Sequence, residues 1–181
     1  MAYSTILKPS DYFNTKLYTG NGSTNAITGV GFQPDFTWIK QRAGATSHML
    51  FDVIRGATYR LSSDTNEANG QYSTSLTAFG SDGFTLGSFN DVNINSGTFA
   101  AWNWKANGAG SANTQGSINS TVSVNTTSGF SIVKYSGNSS STSTIGHGLG
   151  VAPSLVIIKN LGQAEEWVVG VNAGSLDFTQ Y

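Results

Sequence analysis

The chain contains no cysteine. That removes a disulfide framework and any thiolate metal site. Charge is scarce as well: Asp, Glu, Lys and Arg make up 10% of the 181 residues, against roughly 25% in an average globular protein. The formal net charge of −1 leaves no basic surplus to neutralise phosphates, which argues against a nucleic-acid binder. No apolar run approaches the roughly 18–20 residues of a membrane span. The start M-A-Y-S-T-I-L-K-P-S has no basic stretch leading into an apolar one, so no signal peptide is expected and synthesis in the cytoplasm is. Histidine occurs twice, as His48 and His147, at positions too dissimilar to suggest a shared metal site. There is no His-x-x-x-His pair, no G-x-S-x-G elbow and no Walker glycine loop. The expectation is a non-enzymatic chain with no catalytic residues, no cofactor and no metal.

Ser, Thr, Asn and Gly carry the polarity instead, giving a neutral, hydrogen-bonding surface with little long-range steering. Aromatic residues, at 12%, suffice for a core and argue against disorder.

The most informative pattern occurs twice. Gly29 to Lys40 reads G-V-G-F-Q-P-D-F-T-W-I-K and His147 to Lys159 reads H-G-L-G-V-A-P-S-L-V-I-I-K. In each, a glycine-rich turn leads to a proline, an apolar run follows, and a lysine closes it. Proline has a fixed φ and no N–H to give a sheet, so it suits the start of a strand. Upstream, Phe13, Tyr18, Gly20 and Asn21 recur as Phe130, Tyr135, Gly137 and Asn138, offset by 117 (135 − 18). Past the turn the offset is 119 (159 − 40). Two copies of one strand-turn-strand unit are expected, over residues 13–42 and 130–161.

Along the chain, residues 1–12 read as an N-terminal attachment arm and 13–105 as a first sandwich repeat. Within it, Gly20-Asn21-Gly22, Gly80-Ser81-Asp82-Gly83 and Asn95-Ser96-Gly97 mark turns between short strands. Residues 106–128, poor in apolar side chains, read as a polar linker or an edge strand. Residues 129–181 read as a second, incomplete repeat. No window keeps a helical apolar period, so the fold class expected is all-β, an antiparallel β-sandwich of the concanavalin or jelly-roll kind.

Several blocks carry a family resemblance: M-A-Y-S-T-I-x-K-P, T-G-V-G-F-Q-P-D-F-T-W-I-K, H-x-L-F-D-V-I-R-G, S-D-G-F-T-L-G and Y-S-G-N…H-G-L-G-V-A-P. Together they resemble repeat-containing fibre or appendage proteins of tailed bacteriophages, especially marine ones, and they span nearly the whole chain. The resemblance implies a virion component that packs with other virion structural proteins as a homo-oligomer, such as a trimer. It implies no catalytic residue.

The candidate ligand-binding residues are Trp38, Trp102, Trp104, Trp167 and His147. Exposed tryptophans stack on sugar rings, so a host-surface glycan is the candidate ligand and a lectin-like module the alternative function. Alternating strand positions more often mean core, however. Trp102 and Trp104 share one face of a strand and Phe99, Ala101 and Asn103 the other. By apolarity the tryptophans are expected inside, beside Trp38. A polysaccharide depolymerase would need paired carboxylates. Asp52, Glu67, Asp82 and Asp91 sit mostly beside turn residues, which suggests turn bonding instead. Asp64 to Glu67 resembles a calcium loop, but its glycine falls late and Ser75 holds the twelfth position, so a solvated loop is expected. Asp52 and Arg55 are the expected structural ion pair.

Overall fold

The computed structural model describes residues 6–171. Of the expected N-terminal arm, the described part holds one 3₁₀ turn, Pro9–Asp11, with Lys8 and Asp11 paired at 2.7 Å. Strands then follow in quick succession: β1 (Phe13–Thr19), β2 (Asn25–Thr28), β3 (Phe36–Gln41), β4 (Met49–Asp52), β5 (Tyr59–Ser62) and β6 (Gly70–Gln71). Next come β7 (Leu76–Gly80), β8 (Gly83–Leu86), a single helical turn α1 (Asn90–Asn93) and β9 (Thr98–Trp104).

Among the described residues all the named strands pair antiparallel. One sheet has the order β1-β9-β3-β4-β5-β6 and a smaller one the order β2-β8-β7. The two pack face to face, as a sandwich does. Ile27, Leu76, Phe84 and Leu86 from the small sheet, with Val92 of α1, meet Ile39, Met49, Phe51, Phe99 and Ala101 from the large one. The all-β sandwich expected from the turn spacing is the fold.

The expectation for the tryptophans is overturned. Phe99, Ala101 and Asn103 are fully buried between the sheets, opposite Gln41, Ile39 and Thr37. Trp38, Trp102 and Trp104 point the other way and are half-buried. Two features decide it. Ala101 is small enough for the layers to close, and Asn103 is no liability inside because its amide is satisfied. Its oxygen accepts from Thr37 Oγ1 at 3.1 Å, and its nitrogen donates to the Asn14 and Ala101 carbonyls, each at 3.1 Å. A buried amide with partners costs little.

Residues 106–128 contain β10 (Ser111–Asn113) and β11 (Ser120–Asn125), and β12 (Phe130–Tyr135) completes a sheet of order β10-β11-β12. The stretch read as linker or edge strand thus supplies the central strand of a sheet. Ser120, Val122 and Ser123 are buried there. Small hydroxyls with hydrogen-bond partners can be buried without an apolar signature. A hairpin follows, β13 (Leu155–Ile158) with β14 (Val168–Val171).

The two stretches singled out in the sequence correspond in part. β3 pairs with β4 from Phe36↔Asp52 to Ile39↔Met49, and β13 with β14 from Leu155↔Val171 to Ile158↔Val168. Both ends keep the offset of 119 (155 − 36 and 171 − 52), so the register is the same. Lys40 Nζ donates to the Gly44 and Thr46 carbonyls, and Lys159 Nζ to those of Gln163 and Glu165. These acceptors too are 119 apart (163 − 44 and 165 − 46). The closing lysine therefore ties down the loop between its strands in both. Elsewhere the two differ. β2 has no counterpart strand; the second stretch holds only isolated bridges at Ile145. β1 pairs with β9, whereas β12 pairs with β11.

Candidate binding face

The outward side of the large sheet is built by register. Phe13, Trp104, Phe36 and Asp52 lie in one row, and Thr15, Trp102, Trp38 and Leu50 in the next. The Trp104 ring lies 4.8 Å from Phe13 and 5.4 Å from Phe36, while Trp38 and Trp102 meet edge-on at 6.3 Å. Such tilted contacts suit the aromatic quadrupole. The Trp38 indole N–H donates to His48 Nδ1 at 2.8 Å, which puts the histidine's hydrogen on Nε2.

Of the residues singled out, this face gathers Trp38, Trp102 and Trp104. Trp167 lies elsewhere; its indole N–H donates to the Ser62 and Thr65 carbonyls, both at 3.0 Å. It fastens the β13–β14 hairpin to the loop after β5, with Lys159 Nζ on the Asn66 carbonyl and the Asn69 N–H on the Leu161 carbonyl. His147 sits apart again, beside a shallow pocket of about 290 Å³ lined by Gln115, Ile145, Gly148 and Gly150. Sequence reasoning missed Phe130. Its ring stacks 6.1 Å from Trp104 and lies 6.1 Å from Phe36, so the β12 strand covers one end of the aromatic face. The recurrence of Phe13 as Phe130 marked the residue, but nothing in the pattern said where the second stretch would dock.

Asp52 and Asp64 are engaged in the fold. Asp52 is buried against the Arg55 Nε, and its other oxygen accepts from the N–H groups of Ile54 and Arg55. The Arg55 guanidinium also reaches the Leu50 and Tyr59 carbonyls and Asn69 Oδ1, so the expected ion pair is the centre of a loop network. Asp64 accepts from the His48 N–H. Among the described residues no three His, Cys, Asp or Glu side chains cluster as a metal site would need.

Asp82, in the turn between β7 and β8, grips the first glycine-rich turn. Its two carboxylate oxygens accept from the N–H groups of Gly31 at 2.6 Å and Gly29 at 2.9 Å. Those two bonds, Gly31 first, hold its pKa below the ordinary carboxylate value, with a smaller contribution from the Lys16 charge. Both glycines have positive φ, 78° and 91°. Successive N–H groups in that conformation converge on one point and make an anion-binding nest.

Residues 8–179 match the model of a family described as Domain of unknown function (DUF7483). The chain belongs to this family. No curated protein and no solved structure matches it. Within this DUF7483 domain two apolar surfaces stand out among the described residues. One is the half-covered aromatic face; the other is the outer side of the β13–β14 hairpin. On that hairpin Leu155, Ile157, Val169 and Val171 share one side and are each more than half exposed, at 54%, 51%, 55% and 64%.

Proposed function

We propose that this chain is a non-enzymatic structural protein of a bacteriophage virion, part of a tail fibre, head fibre or similar appendage. The observation that carries the reading is the way its units stack. Phe130 of the second stretch seats on Trp104 and Phe36, on the outer side of the first sandwich. The side of β13–β14 equivalent to that outer side is apolar and uncovered. A chain that covers one end of one such face and exposes the next is suited to assembling with neighbours, and a patch of that kind marks an interaction surface. The two stretches are read as copies of one motif, and low charge lets like subunits pack without self-repulsion. The phage assignment itself comes from the sequence blocks. Antibody labelling of particles, viewed by electron microscopy, tests it; label confined to the appendages is expected, and unlabelled particles would end the proposal.

A lectin-like reading gains from one observation, the placement of Trp38 and Trp102 outside the core. A sugar ring could stack there beside His48. Glycan-array binding that is lost in Trp102→Ala, with folding intact, would favour it.

A further inference from the structure

The first glycine-rich turn is filled by Asp82; the second has positive-φ glycines at the equivalent positions, and among the described residues no carboxylate lies in it. Gly148 and Gly150 stand 119 beyond Gly29 and Gly31 (148 − 29 and 150 − 31), with positive φ of 74° and 76°. In the first turn the central N–H, of Val30, donates to the Asp82 carbonyl. In the second the corresponding N–H, of Leu149, is taken at 3.2 Å by His147 Nδ1. Among the described residues no acceptor meets the N–H of Gly148 or Gly150. The shallow pocket of about 290 Å³ opens at this turn, with His147 in its lining and the histidine's hydrogen on Nε2, since Nδ1 accepts.

A second correspondence points the same way. A Cβ on Gly20 would stand 2.2 Å from the Ile94 carbonyl oxygen, because the segment after α1 presses on that turn. Its counterpart Gly137, 117 further on (137 − 20), has nothing within 4 Å. Asn21 accepts from Asn93 Nδ2, whereas its counterpart Asn138 bonds only within its own loop, to Ser140 and Ser143. Among the described residues, the second stretch thus repeats the receiving surfaces of the first without what the first receives there.

The geometry points to a carboxylate-binding site at Gly148-Leu149-Gly150, which takes an aspartate presented on a tight β-hairpin turn of another polypeptide. The two glycine N–H groups receive the two carboxylate oxygens, as they do from Asp82 in the first unit. His147, in the lining of the pocket, uses Nδ1 on the Leu149 N–H and so keeps Nε2–H to donate. Partner chemistry follows from the internal template: a Ser-Asp-Gly turn, followed in the same polypeptide by a segment that covers the open surfaces at Gly137 and Asn138 as Asn93 and Ile94 cover Gly20 and Asn21. This goes beyond the virion reading and holds whatever particle the chain belongs to.

The test is an NMR titration of the ¹⁵N-labelled chain. The probes are acetate, the capped peptide Gly-Ser-Asp-Gly-Phe taken from residues 80–84, its Asn-for-Asp version, and glucuronate. Saturable movement of the Gly148 and Gly150 amide signals is expected with acetate, in the range of about 1–100 mM. The Asp peptide should bind several-fold more tightly than acetate, and its Asn version should lose most of the effect. Asp82→Ala supplies an internal control: it removes both carboxylate oxygens from the first turn, so Gly29 and Gly31 should then respond to acetate too. Gly148 and Gly150 signals unmoved by the Asp peptide overturn the site, whatever the freed first turn does. Glucuronate bound more tightly than the Asp peptide overturns the polypeptide partner and makes the site one for acidic glycans.

Discussion

Asn93 is fully buried, and its side-chain amide is the hub of the first unit. Its oxygen accepts from the Asn21 N–H and from Asn25 Nδ2, both at 3.0 Å. Its nitrogen donates to Asn21 Oδ1 and to the Ser23 and Gly87 carbonyls. One side chain thereby ties the turn after β1 to the end of β8. Asn93→Leu removes those bonds and buries their partners without replacement; a loss of at least about 2 kcal/mol is expected in denaturant unfolding. An unchanged midpoint would show that water takes over. Asp82 gives a pH signature on the same scale. Its folded pKa is depressed, so its contribution is complete above the unfolded value of about 3.9 and fades as pH falls through the lower folded value. Below about pH 4 the Gly29 and Gly31 amides should lose exchange protection ahead of the core, and Asp82→Asn should remove that acid step. Tyr18 behaves oppositely. Burial raises its pKa, and its hydroxyl donates to the Val92 carbonyl at 2.7 Å, so it stays protonated in the folded chain well above the usual tyrosine range.

At the scale of the element, β9 teaches most. The alternation of F-A-A-W-N-W-K located the strand and told which residues share a side. It could not tell which side faces in, because that depends on strands far away in sequence. The deciding neighbours are Thr37, which satisfies Asn103, and the small sheet, which needs Ala101 to be small. Lysine 40 and lysine 159 were legible as closing residues, yet the carbonyls they bind lie in loops with no sequence signature. The β11 strand was nearly invisible because its buried positions include Ser120 and Ser123. A pair of substitutions separates the two sides of β9. Ala101→Leu forces methylenes into a closed layer and should cost about 1–3 kcal/mol. Trp102→Ala, on the half-covered side, should cost about 1–2 kcal/mol, less than the roughly 3–5 of a core truncation. Thermal unfolding that ranks Trp102→Ala as much the worse would return the tryptophans to the core.

In the described residues one sandwich, built from β1 to β9, carries the later stretch fastened to it at Phe130 and at the β13–β14 loop. Phe130 holds one end against Trp104, and Trp167 with Lys159 holds the other against the 62–66 loop. The β13–β14 hairpin between them has only two strands, and an isolated two-stranded hairpin is marginal in water. Its side with Leu155, Ile157, Val169 and Val171 carries no charge, and neither does strand β13, so the usual protection of an exposed strand pair is missing. Lys159, which follows β13, is engaged by backbone carbonyls. The expected consequence is self-association through this side, seen in sedimentation as a mass that rises with concentration. Ile157→Lys, 51% exposed and therefore free of core strain, should shift the chain to monomer without moving its unfolding midpoint by more than about 0.5 kcal/mol. As a control, Thr142→Lys, on an exposed loop, should leave association unchanged. A wild-type chain that stays monomeric at every concentration, or an Ile157→Lys chain that associates as before, would remove this side of the hairpin from the assembly.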